Sequence, residues 1–346
     1  MIVWGEYCSL LTMAEVVIIG AGPAGTTCAY LLKKAGIDCV LIDFATFPRE
    51  KVCGGGLTVK AYKLLSDLMP GLKYDYQSVK KLRLMLGGKL VCAFEPSEEL
   101  RIVNRKDFDN ALLHQYIGLG GQFVKDSFCK YEELADGMIL VTLKSGRQIR
   151  CKYLVGADGA NSRVRHQMIG RYNGNTLFLE QYVPKEIDAI EGDISSKFDA
   201  GYYYAFPSVG HDVVGFGCKN ASVERFREIL AARGIAETKI RGAYIPTVEV
   251  ASANDHIILI GDAGGFANKL TFEGLYYAFA TGRNAFLAIT KGVSFKETNR
   301  VIFKKKRHER YWAMLFYSAL GRFVVRCCSL SPSIVRRIFD RGVSPM

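Results

Sequence analysis

The chain has 346 residues, 49% hydrophobic and 23% charged, with a net charge of +12. This is ordinary globular usage, long enough for one large domain or two intimate lobes, and it excludes a disordered, low-complexity or solenoid protein. The charge is uneven: residues 301–346 hold ten Lys or Arg against two acids, so +8 of the excess lies in the tail.

The opening twelve residues, MIVWGEYCSLLT, lack the basic segment and small-residue cleavage site of a signal peptide. They read as a short extension before a natural start at Met13. From there EVVIIG is a β-branched run suited to a buried parallel strand. AGPAG turns directly into TTCAYLLKKAG, whose apolar residues recur at helical spacing until Gly36 stops the helix. IDCVLIDF is a second strand, so the front of the chain is a βαβ unit with a right-handed crossover. Residues 82–95 predict a hairpin around Gly87 and Gly88. KDFDNALLHQYIGLGG predicts a helix, and MILVTLKSGRQIRCKYLVGADG a hairpin running into a buried strand. Residues 176–246 alternate strand-like stretches with one helix, SVERFREILAARG. DHIILIGDAGG is a late strand and glycine turn, and EGLYYAFATGRNAFLAIT is a helix with small residues on one side.

Residues 20–25, GAGPAG, fit GxGxxG between a strand and a helix. Gly20 permits the tight turn and Gly22 lets the backbone approach a pyrophosphate. Pro23 and Ala24 open the helix, and Gly25 lets helix and strand pack closely. The helix N-terminus then offers free N–H groups and its positive dipole end to phosphate. Asp43 follows Gly20 by 23 positions, where a carboxylate can accept hydrogen bonds from a ribose diol. This unit predicts dinucleotide binding and does not separate FAD from NAD. Nucleotide-binding signals recur near residues 158 and 262, so the predicted organisation is discontinuous. Residues 13–75, 100–175 and 247–300 form a Rossmann-type domain, 76–99 and 176–246 an inserted substrate domain, and 301–346 a basic helical tail. The fold class is α/β with a largely antiparallel inserted sheet.

YLVGADGANSRVR and HIILIGDAGGF resemble the DG and GD motifs of flavoproteins with a p-hydroxybenzoate-hydroxylase-like fold. That likeness implies FAD, with Asp262 at the ribityl chain beside Gly261, and Asp158 and Gly159 as the DG pair. PREKVCGGGL, YYYAFP and GDAGGFANKLTFEGLYYAFATG resemble the geranylgeranyl reductase family of FAD-dependent oxidoreductases over about residues 13–300. The tail is similar to that of bacterial CbrA-type members. The resemblance implies that the loop carrying Arg49, Cys53, Gly54 and Gly55 passes beside the isoalloxazine ring. It also implies that Arg105 contacts the cofactor, and that the turn Glu273, Gly274, Leu275 presents N–H groups to the pyrimidine end. The sequence departs from the family at Lys269 (usually proline), Phe272 (usually glycine) and Tyr204 (usually tryptophan). The first two bear on the ring face and oxygen access, the third on substrate shape.

The resemblance implies reduction of carbon–carbon double bonds in an isoprenoid or lipid-like substrate by hydride transfer from reduced flavin. NADPH, NADH or ferredoxin are the candidate reductants. Cys53 and Tyr204 are the candidate catalytic residues, although Cys53 also fits a purely steric place at the ring and aromatic strands are more often core. Two other readings are open: an FAD-dependent monooxygenase on the same fold, and a non-catalytic flavin-bound membrane protein. No Cys or His cluster has zinc spacing, so no metal is expected. Ten scattered cysteines without a CxxC pair suit a cytoplasmic protein. No charge-free apolar run reaches the length of a membrane span. The tail, KKKRHER followed by YWAMLFYSALGRFVVRCC, reads either as an interfacial helix on the anionic inner face of a membrane or as a cap with a solvated basic edge. Nucleic acid is not an expected partner.

Overall fold

The computed structural model describes residues 11–251 and 254–343. Leu11–Ile19 is the first strand, Pro23–Lys34 the first helix, and Cys39–Asp43 the second strand, parallel to the first. The first strand begins two residues before Met13: Leu11 and Thr12 already pair with Gln148 and Ile149. The earlier part of the expected extension, with Cys8, lies outside the described residues.

The first sheet runs Gln122–Lys125, Cys39–Asp43, Leu11–Ile19, Gln148–Gly156, all parallel. Ile139–Leu143 pairs antiparallel with the first half of Gln148–Gly156 and carries Phe128–Glu133 outside it. Ile257–Leu259 pairs parallel with its last three residues. The central strands are buried on both faces, which is why they read as unbroken aliphatic runs. Pro23–Lys34, Arg105–Gly118 and Leu275–Lys291 lie together against one face. The first and last of these helices touch closely. A Cβ on Gly282 would stand 2.7 Å from the carbonyl oxygen of Ala24 and 3.3 Å from Thr27.

The second sheet has seven strands, ordered Arg241–Pro246, Asn175–Val183, Asp212–Cys218, Tyr202–Phe206, Ile190–Ile194, Leu82–Leu86, Lys89–Phe94. Every pair is antiparallel except Ile190–Ile194 with Leu82–Leu86. Alternation along a strand divides its residues between two environments. Tyr203 and Phe216 pack against Phe226 and Leu230 of the helix Val223–Ala232. Tyr202, Tyr204 and Phe206 face the other way, toward the first sheet's loops. Glycines make room for the rings on that face: a Cβ on Gly215 would sit 2.2 Å from Tyr204, and one on Gly217 2.3 Å from Phe178. A small third sheet of Gly56–Leu57, Leu100–Ile102 and Gln77–Val79 bridges the two layers.

The tail forms three helices, Arg300–Phe316, Ala319–Cys328 and Pro332–Val343. Ile302, Lys306, Glu309 and Ala313 recur at helical spacing and face inward. Lys306 pairs with Glu309 at 3.3 Å and also donates to the carbonyl of Ala267. Glu309 accepts from Asn268 at 2.8 Å and from the Tyr277 hydroxyl. One cation of the basic run is therefore internal and staples the tail to the segment after Asp262.

Candidate active site

Gly20 has φ +105°, and a Cβ there would stand 2.3 Å from the carbonyl oxygen of Ala157. A Cβ on Gly25 would stand 1.9 Å from the oxygen of Gly20. Both positions require glycine, so the turn is shaped by sterics rather than by a side chain. Gly22 has ordinary extended angles and open space, its nearest neighbour being Arg49 at 3.5 Å. No side chain caps the helix that follows, which leaves its first N–H groups facing the cavity. Asp43 closes the second strand and binds the turn through its own backbone partners, accepting from Ala21 N–H at 2.7 Å and Ala45 N–H at 2.8 Å.

Asp158 accepts from the N–H groups of Arg163 and Val164 at 2.7 and 3.3 Å, at the start of the helix Arg163–Ile169, whose N-cap is Ser162. Arg165 of that helix donates to the carbonyls of Asp262 and Ala263 at 3.1 and 3.0 Å. The two motifs, about a hundred residues apart, are thereby fixed to one another. Burial pushes the Asp262 carboxyl up, while Lys51, Arg105 and Arg165 pull it down. Its Oδ1 lies 3.5 Å from where a Cβ on Gly274 would be, at the uncapped start of Leu275–Lys291. Glu273 is tied across to the opposite wall by Lys60 at 2.9 Å and by the Thr58 hydroxyl.

The loop after Arg49 forms that wall. Asp109 holds two arginines: Arg105 in a bidentate pair at 2.8 and 2.9 Å, and Arg49 at 3.2 Å. The Cys53 thiol lies against the Arg105 guanidinium and accepts from Gly55 N–H at 3.4 Å. A Cβ on Gly54 would meet the Phe206 ring at 2.7 Å, and one on Gly55 the Val103 carbonyl at 2.0 Å. The glycines are thus demanded by protein neighbours as well as by any ring in the cavity.

Glu180 is 1% exposed in the middle of an apolar strand. It accepts from the Cys53 N–H at 3.1 Å and from the Tyr204 hydroxyl at 2.9 Å. Burial pushes its carboxyl up, against those hydrogen bonds and the charges of Lys51 and Arg241. Burial and the neighbouring Glu180 charge push the Tyr204 hydroxyl far above its usual range. Sequence reasoning missed Glu180; a carboxylate on the same strand face as Phe178 was the signal available. Phe272, singled out from sequence as a departure from glycine, has φ +54° and so keeps the glycine-like backbone with an aromatic side chain. The Phe272 ring packs against Phe178 with centroids 4.6 Å apart.

These groups line one continuous cavity of about 1760 Å³. Of the site residues picked from sequence, Gly20, Gly22, Pro23, Ala24, Asp43, Arg49, Cys53, Gly54, Gly55, Arg105, Asp158, Gly159, Tyr204, Asp262, Glu273, Gly274 and Leu275 are on its wall. Gly25 and Gly261 lie behind it: Gly25 packs against Gly20, and Gly261 against Ala24. A glycine turn, an uncapped helix start, a carboxylate at a second uncapped helix start and a flat glycine loop fit a flavin dinucleotide. Among the described residues no His, Cys, Asp or Glu group could hold a metal.

A family model described as FAD binding domain matches residues 13–85 and 127–185. An uncharacterized protein of Methanosarcina barkeri is 30% identical, covering 95% of this chain and 88% of its own. Chloroplastic geranylgeranyl diphosphate reductase of Oryza sativa is 29% identical over 80% of this chain and 66% of its own. Menaquinone reductase of Mycobacterium tuberculosis is 28% identical over 79% and 75%. A geranylgeranyl bacteriochlorophyll reductase-like protein from Thermoplasma acidophilum shares the fold, with a TM-score of 0.76 and 18% identity over 95% of this chain and 99% of that one. The cavity, the motifs on its wall and these likenesses converge: the chain is an FAD-dependent oxidoreductase and belongs to the geranylgeranyl reductase family.

Proposed function

We propose that this protein reduces carbon–carbon double bonds of an apolar, isoprenoid-like chain. The observation that carries the reading is the cavity. At about 1760 Å³ it exceeds the roughly 300–1,000 Å³ of a single small-ligand site. It runs from the glycine turn, past the Cys53 loop, to an apolar wall of Phe178, Tyr202, Tyr204, Phe206 and Phe272. A cofactor and a second, apolar occupant both have room. The relatives named as reductases of geranylgeranyl diphosphate and menaquinone support the same class of substrate.

FAD supplies two-electron chemistry when bound, drawing on NADPH, NADH or a ferredoxin. The chain's residues supply the rest. The turn through Gly20 and Gly22 would bring the free N–H groups of the helix start to the pyrophosphate, with Arg49 and Arg105 adding positive charge nearby. Asp43 and Asp262 would accept from the sugar and ribityl hydroxyls of the bound cofactor. Gly274 and Leu275 place a helix start, which favours negative charge, at the pyrimidine end. Cys53, Gly54 and Gly55 set how close the second occupant lies to the ring. Glu180, whose carboxyl is biased toward the protonated form by burial, lies with Tyr204 on the cavity wall, where the carboxyl proton can pass to a substrate carbon while the Tyr204 hydroxyl holds Oε2 in place. The aromatic wall excludes water and orients the chain. The basic tail belongs at an anionic membrane surface, where apolar substrates reside.

The test is an anaerobic titration of the purified flavoprotein with NADPH, then NADH, then reduced ferredoxin, followed by absorbance. A donor that bleaches the flavin, and a polyprenyl substrate that restores the colour while gaining two hydrogens by mass spectrometry, is the expected outcome. Recovery of colour only with oxygen, and a product carrying one added oxygen atom, would replace the reading with a monooxygenase.

A further inference from the structure

The cavity does not open to water at an indifferent place. Trp312, Leu315, Val324 and Ile338 are 63, 43, 48 and 59% exposed, yet all four also line the cavity wall. The cavity is also exposed at Phe44 and Tyr244, 75 and 46% accessible, and its mouth on this side is framed by the three tail helices. We propose that this mouth sits on an anionic lipid bilayer, so that substrate passes from the leaflet into the cavity without crossing water. The inference rests on the apolar-substrate reading above and adds where the substrate enters.

Three observations support a bilayer as the occupant. Leu320, Phe323, Leu330 and Ile334 are 60, 63, 86 and 46% exposed and do not line the cavity. They extend the apolar surface outward from the rim, beyond what scattered surface residues need. Charge complements that surface: Arg322, Arg326, Arg336, Arg337 and Arg341 lie on the same two helices, and the one acid among them, Asp340, is held by Ser97 at 2.7 Å. An apolar face bordered by arginines suits anionic headgroups. The two helices have 10 and 12 residues, and no described helix is long and apolar enough to cross a membrane, which suits lying on the surface.

The frame is anchored where the proposal needs it rigid. Phe339 packs edge-on against Phe94 at 5.4 Å, and Lys60 donates to the Gly342 carbonyl at 2.8 Å. Gly321 sits so close under the carbonyls of Leu315 and Phe316 that a Cβ would stand 2.1 Å from the first. The middle helix packs chiefly on its two tail neighbours. It spans the opening between supports that belong to both lobes.

The experiment uses the full chain with its flavin and two vesicle types, phosphatidylcholine alone and phosphatidylcholine with about one third phosphatidylglycerol. Flotation should show binding at least about 10-fold stronger to the anionic vesicles, weakened by salt. The variant carrying Phe323→Glu, Leu330→Glu and Ile334→Glu changes exposed residues only. It should keep its flavin and its turnover of substrate in detergent micelles, while losing at least about 10-fold in vesicle binding and in turnover of vesicle-borne substrate. Absence of vesicle binding by the parent protein overturns the proposal. So does a variant that changes the parent from dimer to monomer with vesicle binding intact, since the face would then cover a second copy. Vesicle binding lost in the variant, with no reduction of substrate in either medium, keeps the docking surface and removes the reductase reading instead.

Discussion

Glu180 is the residue on which the proposed proton supply turns. Glu180→Gln keeps its size and can still accept one hydrogen bond, while the Tyr204 hydroxyl can turn to accept from the new amide. Its stability should lie within about 1 kcal/mol of the parent near pH 5. Glu180→Ala leaves the Cys53 N–H and the Tyr204 hydroxyl without their partner; at about 1–3 kcal/mol for each, softened by water in the cavity, a loss of about 2–4 kcal/mol is expected. The pH dependence has a fixed sign. Burial raises the folded pKa of Glu180 above its unfolded value of about 4.3. Its favourable contribution is full below the unfolded pKa and is lost as pH rises through the folded one. Glu180→Gln does not titrate, so it should gain on the parent as pH rises from about 4 through that raised pKa. Tyr204, the Cys53 N–H, Lys51 and Arg241 face the carboxyl and limit the gain. Urea unfolding at several pH values reads the stabilities. Single-turnover reoxidation of the reduced protein by substrate reads the chemistry, where Glu180→Gln should slow the step at least about 10-fold with flavin content and substrate affinity unchanged. Parallel stability curves for parent and Glu180→Gln, or an unchanged rate at every pH, would refute the buried-proton argument.

Gly22→Val should fold, because a Cβ there meets only Arg49 at 3.5 Å, yet lose its flavin; full flavin absorbance in the purified variant would sink the phosphate-turn assignment. Phe272→Gly should relieve roughly 1 kcal/mol of backbone strain and forfeit about 2 kcal/mol of ring burial, so it should be destabilised by about 1 kcal/mol, keep its flavin and bind substrate more weakly in an equilibrium titration. Lys306→Met leaves Glu309 buried with no cation and should cost about 3 kcal/mol in urea unfolding, with Glu309→Gln in the same chain restoring more than half. An additive double variant would show that the pair is not coupled.

What could be read from sequence was local. The glycine turn announces itself because its three glycines fall at fixed spacing between a strand and a helix, although only Gly25 answers a neighbour in sequence and Gly20 answers Ala157. The three tyrosines divide between two faces because a strand alternates with period two: Tyr203 lies under Arg233, while Tyr202 and Tyr204 face the cavity. Glu180 escaped because its partners are Cys53 and Tyr204, brought to it by sheet register and by a loop far away in sequence. Asp109 escaped for half of the same reason. Its pairing with Arg105 four residues earlier is helical spacing, but its contact with Arg49 is tertiary. The tail showed its charge and apolar content in sequence, and hid that Lys306 turns inward and that neighbouring apolar residues frame an opening.

The contact at Gly282 has a consequence for how the flavin half of the cofactor would be held. The helices Pro23–Lys34 and Leu275–Lys291 each leave a bare N-terminus at the cavity, one at the glycine turn and one beside Asp262, and they touch where Gly282 meets Ala24. They stand like the two jaws of a caliper locked at that glycine, a contact in the first turn of one helix and about two turns into the other. The gap between jaws is fixed by close packing, so it gauges the length of the molecule between them. The flavin phosphate and the pyrimidine end of the ring would fill the two jaws, so the gap gauges the ribityl chain, and the adenosine half would reach beyond it toward Asp43. A methyl group added at that contact, as in Gly282→Ala, would push on the Ala24 carbonyl and shift both jaws at once, making affinity for the whole cofactor sensitive to an atom that never touches it.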